Sequence, residues 1–136
     1  MEVNAGRTKV LIVDDEPPVA DTLAMVFRIN RYEVQVAYSA EQAIETIAVW
    51  EPRLALVDVM LPGMNGIDFA VVLRDNRPDC QTLLFSGSES TGALLEEAAK
   101  RGHRFDILAK PVHPVEMLEA VRNLLTPGPR RVPDLE

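Results

Sequence analysis

One cysteine is the whole thiol content of this chain. Cys80 alone excludes an intrachain disulfide and a cysteine-based zinc site; it reads as a small apolar residue, not a reactive thiol. Aromatics are scarce, at 5%, so aliphatic side chains must build the core, and a hydrophobic content of 47% supplies enough of them. No apolar run approaches the ~20 residues that cross a bilayer. The opening MEVNAGRTK has no hydrophobic signal segment. The expectation is a cytoplasmic protein without membrane contact. Positive charge is also in deficit: 14 Lys and Arg face 21 Asp and Glu, for a net charge of −7. Such a surface repels nucleic-acid phosphates, which argues against direct DNA or RNA binding. A length of 136 residues suits one domain.

Strands and helices alternate along the chain. KVLIV (9–13) is a short continuous apolar run, the mark of a strand buried on both faces. PPVADTLAMVFRIN (17–30) switches to helical spacing, with Val19, Leu23, Val26 and Phe27 on one face and two prolines in the first turn. EVQVAY (33–38) alternates like an outer strand. Ser39 with Gln42 then signals a capping box for a helix bearing Ala40, Ala43, Ile44 and Ile47. LALVD (54–58) is the third strand. Asn65 can cap a helix whose Phe69, Val72 and Leu73 share a face, and QTLLF (81–85) is the fourth strand. A helix opening at Ser90 or Thr91 runs to about Lys100 and can close at Gly102. FDILA (105–109) is the fifth strand. The last helix starts at His113-Pro114 and turns Met117, Leu118, Val121 and Leu125 inward. Five strands alternating with five helices predict an α/β fold, a doubly wound parallel sheet covered on both faces. In such sheets chemistry gathers beyond the carboxyl ends of the strands.

The residues at those ends are Asp14 and Asp15 after strand one, Asp58 at the tip of strand three, Ser86 after strand four and Lys110 after strand five. Two unit charges ~4 Å apart repel by about 4 kcal/mol at an effective dielectric of 20, so three convergent carboxylates call for a cation. With oxygen ligands and no His or Cys, a hard divalent ion fits, and Mg2+ is the natural choice. Such an ion keeps positions open for a phosphoryl group. One carboxylate could then attack phosphorus as a nucleophile. Asp58 suits that role because it stands alone on a central strand. Asp14 and Asp15 suit metal holding, Lys110 can neutralise a phosphoryl oxygen, and Ser86 can donate a hydrogen bond to another.

These residues sit in four stretches: VLIVDDEP (10–17), LVDVMLPGMNG (56–66), LLFSGS (83–88) and LAKPV (108–112). Together they resemble the receiver domain of two-component response regulators, over residues 8 to about 126. The resemblance implies a flavodoxin-like strand order of 2-1-3-4-5. It implies that Asp58 is the phosphoacceptor, served by a histidine kinase or a phosphotransfer protein, and that Lys110 pairs with the phosphate while Ser86 is the switch hydroxyl. It also implies that Asp15 and Asp58 bind Mg2+ directly, Asp14 largely through water and Met60 through its backbone carbonyl, and that the Lys110–Pro111 peptide is cis. Two positions depart from the family pattern. Gly87 stands where alanine is usual, and Ile107 replaces the usual Tyr or Phe three residues before the lysine; Phe105 shares its side of the strand.

The expected function is therefore a phosphoacceptor that switches a protein-interaction surface toward a downstream output protein. It is not an enzyme beyond self-catalysed transfer and slow autodephosphorylation, and it is a monomer or weak homodimer. Two other readings stand beside it. One is a docking domain that ignores phosphorylation. The other is a Mg2+-dependent aspartyl-phosphate phosphatase, against which stands Met60, where such hydrolases commonly carry a second acid. The Pro-rich stretch 127–136 reads as a flexible tail or linker stub.

Overall fold

A computed structural model describes residues 7–87, 91–110 and 113–125. Its elements alternate without exception: β1 (Lys9–Val13), α1 (Pro17–Ile29), β2 (Glu33–Ala37), α2 (Ala40–Val49), β3 (Leu54–Asp58), α3 (Gly66–Asn76), β4 (Gln81–Ser86), α4 (Thr91–Lys100), β5 (Asp106–Ala109) and α5 (Pro114–Leu125). The strands form one parallel sheet in the order β2-β1-β3-β4-β5, as expected.

The period of two along each strand divides the core into two layers. Val10, Ile12, Leu54, Leu56, Leu83 and Phe85 pack with α1 and α5. Leu11, Val13, Ala55, Val57 and Leu84 pack with α2, α3 and α4. Both faces of the central strands are covered, which is why their apolar runs are unbroken. Cys80 is buried in the second of these layers, and burial pushes its thiol up to about 12, so it is an inert packing residue.

Local signals set the helix boundaries. Ser39 Oγ accepts the Gln42 N–H at 3.0 Å and caps α2. The return bond of this box goes one residue further back, from the Tyr38 N–H to Gln42 Oε1. Asn65 Oδ1 accepts the Asp68 N–H at 2.8 Å and caps α3. Pro17 and Pro18 occupy the first turn of α1. Ser90, Pro111 and the tail 127–136 lie outside the described residues.

Two features depart from the sequence pattern. Val19 shares the spacing of Leu23, Val26 and Phe27, yet it is 37% exposed, and the buried face of α1 is Ala20, Leu23, Ala24 and Phe27. At 100° per residue that buried face centres about a quarter-turn away from Val19, which leaves Val19 on its flank. The second concerns the fifth strand. It starts at Asp106, one residue later than expected, and it is largely exposed. β5 is an edge strand paired only with β4, so it lacks the cover that the central strands enjoy.

These burial patterns predict unequal losses from one helix. Leu23→Ala should cost about 3 kcal/mol, whereas Val19→Ala should cost under about 1 kcal/mol. Urea unfolding with an unchanged denaturant slope measures both.

Candidate functional site

Sheet register decides which side chains meet. Val13 pairs with Val57, so Asp14 and Asp58 leave neighbouring strands at the same level. Asp58 pairs with Phe85, and Ser86 with Ala109, which sets Ser86 and then Lys110 just beyond. The Asp14 N–H still bonds the Ala37 carbonyl at 3.1 Å, extending the β1–β2 ladder by one rung. The backbone under the site is therefore fixed by the sheet itself.

Asp14, Asp15 and Asp58 each offer a carboxylate oxygen, and the three oxygens lie within 4.8 Å of one another. Asp14 and Asp58 are buried. Asp58 is fully engaged: Oδ1 accepts the Met60 N–H at 3.0 Å, and Oδ2 pairs with Lys110 Nζ at 3.0 Å. Asp14 is half engaged. Its Oδ1 accepts the Glu16 N–H at 2.9 Å, while its buried Oδ2 has no partner among the described residues. Burial pushes the Asp14 carboxyl up to about 6; the charges of Asp58 and Asp15 add to the rise, and the Glu16 N–H and Lys110 oppose it. Burial pulls the Lys110 ammonium down, but its hydrogen bond to Asp58 and the charges of Asp58, Asp14 and Glu16 outweigh this and leave it raised. Lys110 stays charged, and one ammonium faces three carboxylates.

That imbalance suits a hard cation. Oxygens bound to Mg2+ at about 2.1 Å are roughly 3 to 4 Å apart, and the three acid oxygens lie within 4.8 Å of one another. An orphaned buried oxygen on Asp14 is the feature a cation would satisfy.

The loop after β3 is shaped around the acid. Gly63 adopts φ +74°, where a side chain is disfavoured. Glu41 on α2 accepts the Met64 N–H at 3.2 Å and ties the loop to the neighbouring helix. The Gly66 N–H bonds the Val59 carbonyl at 2.8 Å, bringing the start of α3 against the strand end. A Cβ on Gly66 would overlap the Asp58 carbonyl oxygen and come within 2.8 Å of Val59 Cα.

All the expected site residues lie along this edge of the sheet. Asp14, Asp15, Asp58 and Lys110 converge. The N–H of Met60 reaches Asp58, while its side chain is 47% exposed. Ser86 is buried, and its Oγ lies 2.6 Å from Thr91 Oγ1. Ile107 is exposed on the edge strand. Phe105 is half-buried against the α2–α3–α4 layer, with the Arg74 guanidinium 4.4 Å above its ring. Sequence reasoning missed Glu41, Gly66 and the hydroxyl partner of Ser86. The Asn-Gly pair at 65–66 could have signalled the close approach at Gly66; Thr91 carried only the mark of a helix opener.

The family model of the response regulator receiver domain matches residues 10–122. The chain belongs to the response regulator receiver family. It is 34% identical over 118 residues to the DNA-binding response regulator MtrA of Mycolicibacterium smegmatis, a match covering 85% of this chain and 50% of that protein. The receiver thus spans about half the length of the curated relatives it matches, and DNA binding is named for those longer proteins. Among solved structures, a CheY-like receiver domain protein from Methanospirillum hungatei superposes with a TM-score of 0.80 at 26% identity, covering 88% of this chain and 94% of that one. The response regulator TrrA of Thermotoga maritima, in complex with Mg2+-BeF, gives 0.75 at 24% identity, covering 87% and 99%. Receivers are signalling modules, and no helix among the described residues is long and apolar enough to cross a membrane.

Two predictions follow from the receiver's geometry. The first is a pH dependence. Without metal, native Asp14 holds its proton to about 6, whereas its ordinary value is 3.8. The unfolded chain therefore ionises first, and stability is lost as pH rises between those values. Above the window the buried charge costs on the order of 3 kcal/mol. In chelator, Asp14→Asn should be more stable than wild type at about pH 7, with the gap closing toward about pH 4. Added Mg2+ should raise the wild type more than Asp14→Asn. The second is steric. Gly66→Ala should destabilise by about 3 kcal/mol or more in thermal unfolding, because backbone must move to admit one methyl.

Proposed function

We propose that this receiver accepts a phosphoryl group on Asp58 within a two-component phosphorelay. The observation that carries the proposal is the Lys110 Nζ to Asp58 Oδ2 contact at 3.0 Å beside a buried oxygen of Asp14 that has no partner among the described residues. It supports a nucleophile already paired with the cation that would meet the incoming phosphate. It also supports a metal position on the nucleophile's other side.

An oxygen of Asp58 attacks phosphorus in the phosphohistidine of a histidine kinase or phosphotransfer protein. The O–P bond forms as the N–P bond breaks. The departing imidazole nitrogen keeps the electron pair and takes up a proton. Lys110 follows a phosphoryl oxygen and neutralises it. Ser86 donates a hydrogen bond to another. Asp14, Asp15, Asp58 and the Met60 backbone carbonyl would hold Mg2+, which when bound would supply charge neutralisation for the equatorial oxygens. The Met60 N–H orients the carboxylate, so that attack starts from a fixed position.

The receiver is a switch and not a turnover catalyst: it catalyses its own phosphorylation and a slow loss of the group. Met60, two residues after Asp58, offers no acid to protonate a leaving group, which weighs against the phosphatase reading. The module spans residues 8–126 and acts in the cytoplasm. It passes its state to an output protein by surface contact, as a monomer or weak dimer, with no direct contact to nucleic acid.

Incubation with acetyl phosphate and Mg2+, followed by intact mass, tests this. One hydroxylamine-labile phosphoryl adduct is expected, lost in Asp58→Asn and in excess chelator. No adduct, or rapid repeated hydrolysis of phosphate esters, would overturn it.

A further inference from the structure

We propose that Thr91 is a positioning residue that holds Ser86 on the α4 side of the sheet until a phosphoryl group on Asp58 draws it away. The inference rests on Asp58 being the acceptor and goes beyond it, to how the modification reaches the surface.

The geometry starts with Lys110. Its stem crosses the tip of β4: Nζ is 5.3 Å from the Phe85 ring centroid and 3.0 Å from Asp58 Oδ2. Its Cβ lies 3.3 Å from where a Cβ on Gly87 would be. A phosphoryl group joined to Asp58 and paired with Lys110 therefore lies over the tip of β4. Ser86 supplies the hydroxyl there. Strand alternation turns Phe85 into the α1–α5 layer and Ser86 toward the opposite one, where Thr91 stands. The two hydroxyls lie 2.6 Å apart, at 6% and 5% exposure. Either hydroxyl can donate in this contact, and in both cases it needs Ser86 Oγ where it stands. Turning χ1 to another staggered well to meet a phosphoryl oxygen carries Oγ about 2 Å. Thr91 must then lose a buried partner or follow it.

Following moves α4. Of the ten residues of this helix, only Thr91 and Ala98 are buried among those described. Its first turn thus has one deep anchor, and that anchor is bonded to the switch serine. The usual aromatic route is replaced by Ile107, which is exposed and cannot hydrogen-bond through its side chain. Thr91 links the site to the surface by a different element.

The test titrates the full chain with beryllofluoride and Mg2+. Thr91→Val keeps the shape and removes the competing hydroxyl, so affinity should rise about five- to tenfold, while Thr91→Ser should stay within about twofold of wild type. In a Ser86→Ala background the Thr91→Val gain should vanish, which a merely structural role would not produce. Amides 92–100 should shift with ligand in wild type and shift less in Thr91→Val. Should Thr91→Val not fold, the wild type decides: the Thr91 methyl must shift on binding, and must not in Ser86→Ala. Unchanged affinity in Thr91→Val, or a gain that persists without Ser86, overturns the latch alone. Absence of any phosphoryl adduct or beryllofluoride binding in wild type overturns Asp58 as acceptor, and the latch with it.

Discussion

Like charge held at close range is the constraint on which this structure depends. Three carboxylates meet at the edge of the sheet with one ammonium among them. Left to itself such a cluster would spread, since each close pair repels by about 4 kcal/mol at a dielectric of 20. It does not spread because the acids belong to rigid backbone. Asp14 continues the β1–β2 ladder, and Asp58 is the last residue of a strand paired on both sides. The hydrophobic layers above and below hold those strands in register. Core packing is thus spent on keeping an unfavourable arrangement of charge, which is the usual relation between a stable scaffold and a reactive site.

The two flanks of the sheet are not equivalent. Around β1 and β3 everything is dense: Val10, Leu11, Ile12, Val13, Leu54, Ala55, Leu56 and Val57 have no exposure at all. On the β5 side the structure thins. β5 is short and exposed, and α4 has few buried residues. Local opening is easiest where buried apolar contacts are fewest. Lys110 joins the two flanks: it follows β5, and its Nζ lies 3.0 Å from Asp58 Oδ2 at the tip of β3.

A cleft of about 570 Å3 runs between α1 and α5 and ends at Lys110. Glu16, Val19, Pro114 and Met117 are among its walls. The outward turn of Val19 is part of what opens it. A valine that shares the spacing of Leu23 and Phe27 is, in the fold, part of a surface next to the site. Periodicity reports which residues share a helical face, but only the packed fold shows where the centre of that face falls. Here it falls among Ala20, Leu23, Ala24 and Phe27, with Val19 on the flank.

Most of the architecture was legible in the residue order, because unbroken apolar runs, caps at Ser39 and Asn65, and acids directly after strands are local signals with local causes. The acid cluster was legible for the same reason: strand ends in a parallel sheet must face the same way. Contacts across the sheet were not. That Ser86 bonds Thr91, that Glu41 ties the loop beyond Asp58, and that Gly66 must lack a side chain to pass the Asp58 carbonyl all depend on distances between separate segments. The chain's order of residues alone determined the alternating fold and the chemistry at its edge, since both follow from periodicity and position along a strand. The tertiary structure decided which oxygen lacks a partner and which hydroxyls meet, because burial and reach exist only once helices have settled on the sheet.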